Sequence, residues 1–174
     1  MQSTLTCAIM LCVKILFMEI KMIKIMFVCH GNICRSPLAE FIMKDIVKRK
    51  NQQDNFIIAS SATSTEEIGN GVYPQSRQIL NSLGIDCSQK RAVQITKADY
   101  DFYDYIVCMD RNNVRNLNFI IGSDTKNKVS LLMDYANEHR DVADPWYTRD
   151  FNTTYEDVLL GCNALYDYIT KSKQ

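Results

Sequence analysis

The stretch FVCHGNICRSP, residues 27–37, leaves an apolar run and passes through a Cys, a Gly, a second Cys, an Arg, a Ser and a Pro. The run that feeds it, IKIMFVC (23–29), is mostly Ile, Phe and Val, the pattern of a strand covered on both faces. Beyond it, Pro37 suits the first turn of a helix, and Leu38, Phe41, Ile42 and Ile46 recur at helical spacing. Between a strand and a helix, the N–H groups of a loop and of the helix N-terminus converge on an anion. Cys29 stands where such an anion would meet a nucleophile. A thiolate there is favoured by positive potential. Arg35, at the mouth of the helix, can grip two oxygens of a tetrahedral oxyanion. Gly31 allows a tight turn, and Ser36 is placed to donate a hydrogen bond to the sulfur.

The same alternation continues along the chain. FIIAS (56–60) reads as a second strand, and YPQSRQILNSLGI as a helix stopped by Gly84. Thr96 with Asp99 forms a capping box before a short helix. DYIVCMD (104–110) is a third strand, followed by a helix from Arg111 to Ile121 that Gly122 closes. VSLLMDY (129–135) reads as a fourth strand and residues 136–152 as a polar loop containing DPWY. Thr153 with Glu156 then opens a last helix, ending near Lys171. The order βαβαβαβα predicts an α/β fold, an open parallel sheet with helices on both faces. Sites in such sheets lie beyond the carboxyl ends of the strands. The loop after strand one, Asp110 after strand three and DPWY after strand four therefore point to one rim.

Phosphoryl transfer to sulfur also needs a proton for the leaving oxygen. Asp144 is the best candidate donor, stiffened by Pro145, with Trp146 and Tyr147 placed to flank a planar substrate.

Composition narrows the class. A chain of 174 residues with 47% hydrophobic and 23% charged residues is one ordinary globular domain. Twenty basic residues balance twenty acidic ones, which argues against a nucleic-acid partner. No stretch reaches the roughly 18 apolar residues of a membrane span, so no stable membrane association is expected. Seven cysteines without a Cys-x-x-Cys pair, and two histidines far apart, argue against a zinc site and for a reducing compartment, hence cytoplasm. Residues 1–21 carry no basic group before Lys14 and no cap or turn tying them to the first strand. The reading favoured is a dispensable extension or an upstream start translated in error, with residues 22–174 forming the domain.

Residues 22–174 resemble the low-molecular-weight protein tyrosine phosphatase family. The resemblance is carried by VCHGNICRSPLAE (28–40), SSAT (60–63), YIVCMD (105–110) and DPWY (144–147). It implies a flavodoxin-like open four-stranded sheet in the order 2-1-3-4, with no metal and no cofactor. Cys29 would be the nucleophile, forming a phosphocysteine. Arg35 would bind phosphate, and Asp144 would act as general acid, then as base for the hydrolytic water. Asn32 and Ser36 would hold the loop and help the thiolate. His30, Gly31, Ile33 and Cys34 complete the phosphate- and substrate-binding loop, with Trp146 and Tyr147 at the cleft. Substrates would be phosphotyrosine proteins or aryl phosphates.

Departures from the family pattern are His30 after the nucleophile, and Glu66 with Glu67 where many members place an aromatic at the cleft wall. That acidic rim would disfavour acidic phosphopeptides. Cys34, five residues from Cys29, is expected to capture an oxidised Cys29 as a disulfide, making the enzyme redox-sensitive. Cys108 is expected to pack in a strand. Two further activities fit the same fold: a thiol-based arsenate reductase and a protein arginine phosphatase. The first needs mobile relay cysteines, a role that Cys87 and Cys108 suit poorly. Arginine-specific relatives typically carry Thr where this chain has Ile33, which favours a phenyl ring over a guanidinium. A phosphate-binding module or phosphate carrier would have no use for an acid such as Asp144.

Overall fold

In a computed structural model describing residues 22–171, β1 (Ile23–Cys29) is an inner strand of a parallel sheet ordered β2-β1-β3-β4. The other strands are β2 (Phe56–Ala62), β3 (Tyr105–Cys108) and β4 (Val129–Leu131). Along its whole length β1 pairs with β2, from Ile23 opposite Phe56 to Cys29 opposite Ala62. On its other side Ile25 to Val28 pair with Tyr105 to Cys108.

The period of two along β1 sorts its side chains into two cores. Ile23, Ile25, Phe27 and Cys29 join the layer of α1 (Arg35–Arg49), α2 (Pro74–Ser82) and α6 (Phe151–Lys171). Met26 and Val28 join that of α3 (Lys97–Phe102) and α4 (Arg111–Ile121). Burial of a side chain such as Phe27, fully enclosed here, contributes about 1.5–3 kcal/mol over leaving it exposed. A strand covered on both sides needs an almost unbroken apolar sequence, which 23–29 supplies.

Local signals place the helix ends. Thr96 and Asp99 make the reciprocal capping box at α3. The Asp110 carboxylate accepts the Asn113 N–H at the start of α4, and Gly122 follows its end with φ of 91°. Cys108 is fully buried, and burial pushes its thiol pKa up, in keeping with a packing role.

Several element boundaries differ from the sequence expectation, and the third strand covers Tyr105–Cys108 rather than 104–110. The second strand runs on to Ala62. The fourth ends at Leu131 rather than Tyr135, and Met133–Ala136 form a 3-10 turn instead. Leu132 and Met133 are buried there beyond the end of the ladder register, and an apolar run of that length does not distinguish the two. The polar loop holds a short helix, α5 (Pro145–Thr148), and α6 begins at Phe151. Its cap is Asp150, which accepts both the N–H and the hydroxyl of Thr153, so the predicted Thr153–Glu156 box is displaced by one turn. Residues 1–21, expected to be a dispensable extension, lie outside the described residues.

Candidate active site

The loop between β1 and α1 folds around the Cys29 sulfur. Asn32 enters the left-handed region with φ of 57°, which lets its N–H turn back to Cys29 Sγ at 3.3 Å. The tight turn assigned to Gly31 thus belongs to Asn32, for which αL is tolerable among non-glycine residues. Gly31 serves a close approach, since a Cβ there would lie 3.1 Å from Glu67 Cγ. Ser36 Oγ sits 3.0 Å from Cys29 Sγ. The Asn32 amide donates to Ser36 Oγ at 2.9 Å and to Ser60 Oγ at 2.8 Å. A hydroxyl has one hydrogen; with Asn32 occupying a lone pair, that hydrogen can point at the sulfur, 3.0 Å away, or at the Ser61 carbonyl, 3.3 Å away.

Asn32 and Ser36 are almost wholly buried, so they hold the loop from behind instead of lining the cleft. Behind them lies a charged core that the sequence reading missed. Ser60 Oγ donates to Glu40 Oε2 at 2.6 Å, and Lys90 Nζ lies 2.9 Å from the same oxygen. Burial opposes ionisation of Glu40, but the charges of Lys90 and Lys44, with hydrogen bonds from Lys44 and Ser60, outweigh it and hold the carboxyl below its ordinary pKa. Breaking a buried pair leaves an uncompensated charge. Lys90→Met is therefore expected to destabilise the fold by about 3 kcal/mol at neutral pH, the low end for such losses because Lys44 remains. A depressed carboxylate contributes stability above its unfolded pKa of about 4.3 and loses it as pH falls. In the variant Glu40 can escape its penalty by protonation, so the deficit should shrink below about pH 4. Urea midpoints at several pH values check this, and a deficit independent of pH would refute it.

Arg35 closes the site. Its side chain is 4% exposed, with one terminal nitrogen 2.6 Å from Asp110 Oδ2 and the other 2.6 Å from Asp144 Oδ2. Burial opposes the charge, yet Cys29, Asp144 and Asp110 together raise the Arg35 pKa above its ordinary value. A guanidinium has five N–H groups, so these two bonds leave three for an oxyanion. Asp144 also accepts the Trp146 N–H, and its side chain is 26% exposed against 13% for Asp110. It is the carboxyl nearer the opening. Asp141 instead pairs with Arg111, away from the cleft.

A cleft of about 330 Å³ opens above the sulfur. It is lined by Cys29, His30, Gly31, Ile33, Cys34 and Arg35 from the loop, and by Asp144, Trp146 and Tyr147 from the far wall. Glu66 and Glu67 form the acidic rim, with His30 Nε2 3.0 Å from Glu66 Oε2. Both partners are largely exposed, and such a pair adds little stability. Asp110 and, from α4, Asn112, Asn113 and Asn116 complete the lining. Sequence reasoning missed the three asparagines; their one signal is the position just after Asp110, at the same rim. Cys34 lies 8% exposed beneath the loop. Its thiol is pushed up to about 12, by burial first and then by the negative charge of Cys29 and Asp144.

A buried sulfur with two donors on it, a fixed guanidinium beside it and a carboxyl at the opening define a cysteine-dependent phosphatase. The model of the family described as low molecular weight phosphotyrosine protein phosphatase matches residues 24–174, and the chain belongs to that family. It is 38% identical over 151 residues to the low molecular weight phosphotyrosine protein phosphatase of Sus scrofa, covering 83% of this chain and 94% of the relative. The crystal structure of YfkJ from Bacillus subtilis superposes with a TM-score of 0.83 at 35% identity, over 88% of this chain and 98% of that one. The crystal structure of a Drosophila arginine phosphatase gives 0.77 at 28% identity, over 84% and 98%.

Proposed function

We propose that the protein hydrolyses phosphotyrosine and related aryl phosphates in the cytoplasm, by way of a phosphocysteine on Cys29. The observation that carries this reading is the Arg35 guanidinium, anchored by Asp110 and Asp144 beside a sulfur that already receives the Asn32 N–H. The Cys29 sulfur attacks phosphorus in line with the aryl oxygen. As the S–P bond forms the P–O bond breaks, and Asp144 gives the departing phenolic oxygen its proton. Water then attacks phosphorus, Asp144 takes its proton, and the S–P bond breaks to release phosphate and the thiolate. Throughout, the loop N–H groups and the remaining Arg35 donors hold the oxygens where charge concentrates. Vanadate, which takes the trigonal geometry of that transition state, is expected to compete with substrate.

Cys34 has a second role in this reading. Peroxide converts Cys29 to its sulfenic acid, and the Cys34 thiol displaces water from it to give a disulfide, ahead of further oxidation.

The choice between phosphotyrosine and phosphoarginine rests on Ile33. Its half-buried aliphatic side chain lines the cleft and supplies no hydroxyl to a guanidinium, whose polar edges would be desolvated without partners. Phosphotyrosine is expected to exceed phosphoarginine at least tenfold in kcat/KM, about 1.4 kcal/mol of barrier. Ile33→Thr should narrow that ratio. Direct competition between the two substrates checks it, and a preference for phosphoarginine by the native enzyme would overturn the substrate assignment.

A further inference from the structure

The strap that carries Asp144 is tied to α6 at both ends. Before it, the Ala143 N–H donates to Asp157 Oδ2, and the Thr154 hydroxyl to the Ala143 carbonyl. After it, Asp150 caps Thr153. Neither tie involves a residue of the phosphate loop. On that side Asp144 meets Arg35, a group that phosphate must share.

One contact on that side does not involve the phosphate. The Tyr73 ring meets Trp146 edge-on, with centroids 6.0 Å apart and planes at 73°. It also stacks flat on Phe151, at 5.6 Å and 4°. Trp146, within the strap, and Phe151, at the start of α6, thus meet the same ring. The Tyr73 backbone belongs to the other wall, for its N–H donates to the Ile33 carbonyl of the phosphate loop at 2.8 Å. Pro74 follows and favours an extended residue before it, and Tyr73 has φ of −55° and ψ of 140°. The ring is therefore aimed by the loop while it grips the strap. Tyr73 is absent from the cleft lining, so it touches no substrate in this geometry.

We propose that Tyr73 is a positioning residue that locks the Asp144 strap to the phosphate loop, so that proton delivery to the leaving oxygen depends on its ring. The proposal rests on the reading of Asp144 as the general acid. Displacing that carboxyl by a fraction of an ångström degrades proton transfer while leaving the sulfur and its oxyanion donors in place. The phenolic hydroxyl is not required, since the contacts are made by the ring faces and edge.

Tyr73→Ala is therefore expected to cut kcat for phenyl phosphate by roughly tenfold, part of the 10²–10⁴ that positioned proton transfer contributes, with a much smaller loss for p-nitrophenyl phosphate. Inhibition by inorganic phosphate should change less than twofold. Trp146 is the only tryptophan in the chain, so its emission reports on the strap directly. In Tyr73→Ala it should move to the red and become more quenchable by acrylamide. Tyr73→Phe should return both readouts to near-native values. An equal loss on the two substrates, an unchanged leaving-group dependence, or native Trp146 emission in Tyr73→Ala would overturn the inference. Asp144→Asn serves as the reference. If it shows no leaving-group selectivity, the acid assignment fails; if it does and Tyr73→Ala does not, only the role of Tyr73 falls.

Discussion

Cys29→Ser is expected to lower turnover of p-nitrophenyl phosphate by roughly 10⁴-fold or more, about 5.5 kcal/mol of barrier. The Cys29 sulfur lines the cleft at the centre of the phosphate loop. Its surroundings, the Ser36 hydroxyl at 3.0 Å and the Asn32 N–H at 3.3 Å, are arranged to support negative charge on it. A serine hydroxyl keeps its proton at neutral pH and is the weaker nucleophile for that reason. Structure should survive the change. Cys29 is 3% exposed, and a serine offers a slightly smaller atom to the same two partners. The variant should still bind inorganic phosphate or vanadate, because Arg35 and the loop N–H groups do the holding. Turnover, phosphate titration and a urea midpoint together check the claim. Activity within tenfold of native would remove Cys29 as nucleophile. Loss of phosphate binding along with turnover would mean that the sulfur shapes the loop.

Asp144→Asn is expected to slow phenyl phosphate by roughly 10²–10⁴, the usual contribution of a positioned proton donor. p-Nitrophenyl phosphate should lose far less. Phenol, with a pKa of about 10 like the tyrosine side chain, departs poorly as an anion, whereas nitrophenoxide needs little help. Asparagine is isosteric and can still accept the Trp146 N–H through its amide oxygen, so α5 keeps its first turn. It cannot reproduce the ion pair with Arg35, and for that reason a modest uniform loss accompanies the selective one. The ratio of rates on the two substrates isolates the proton. A loss of equal size on both would make Asp144 a structural partner of Arg35 and transfer the acid role to Asp110, the other carboxyl on that guanidinium.

What could be read from sequence divides along sequence separation. Cys29, Arg35 and Ser36 lie within eight residues between a strand and a helix, and that context disclosed the loop and its chemistry, while Asn32 came from the family resemblance. Asp110 and Asp144 were found by topology, since alternating strands and helices bring loop ends to one rim. The Glu40–Lys90 pair gave no such sign. Glu40 lies in an ordinary helical pattern, and its partner arrives from 50 residues away in a loop. Tyr73 was equally silent, because its role depends on two rings, Trp146 and Phe151, brought to it by the packing of α6. The fourth strand was overextended for a related reason. Leu132 and Met133 are buried in the core that α6 covers, although the ladder register ends at Leu131 and only the Leu132 N–H still reaches β3.

The ion pairs of Arg35 span 75 residues to Asp110 and 109 to Asp144. Loop closure over such distances precedes any gain from the contact, which makes non-local pairing a late and slow event. Refolding should therefore restore helical signal and apolar burial before it restores turnover. A nascent chain released short of residue 144 would carry the nucleophile and the phosphate loop without the acid. Thiol chemistry and hydrolysis are in this way separated in time: an incomplete chain has the sulfur exposed to oxidants before it has the means to turn a substrate over.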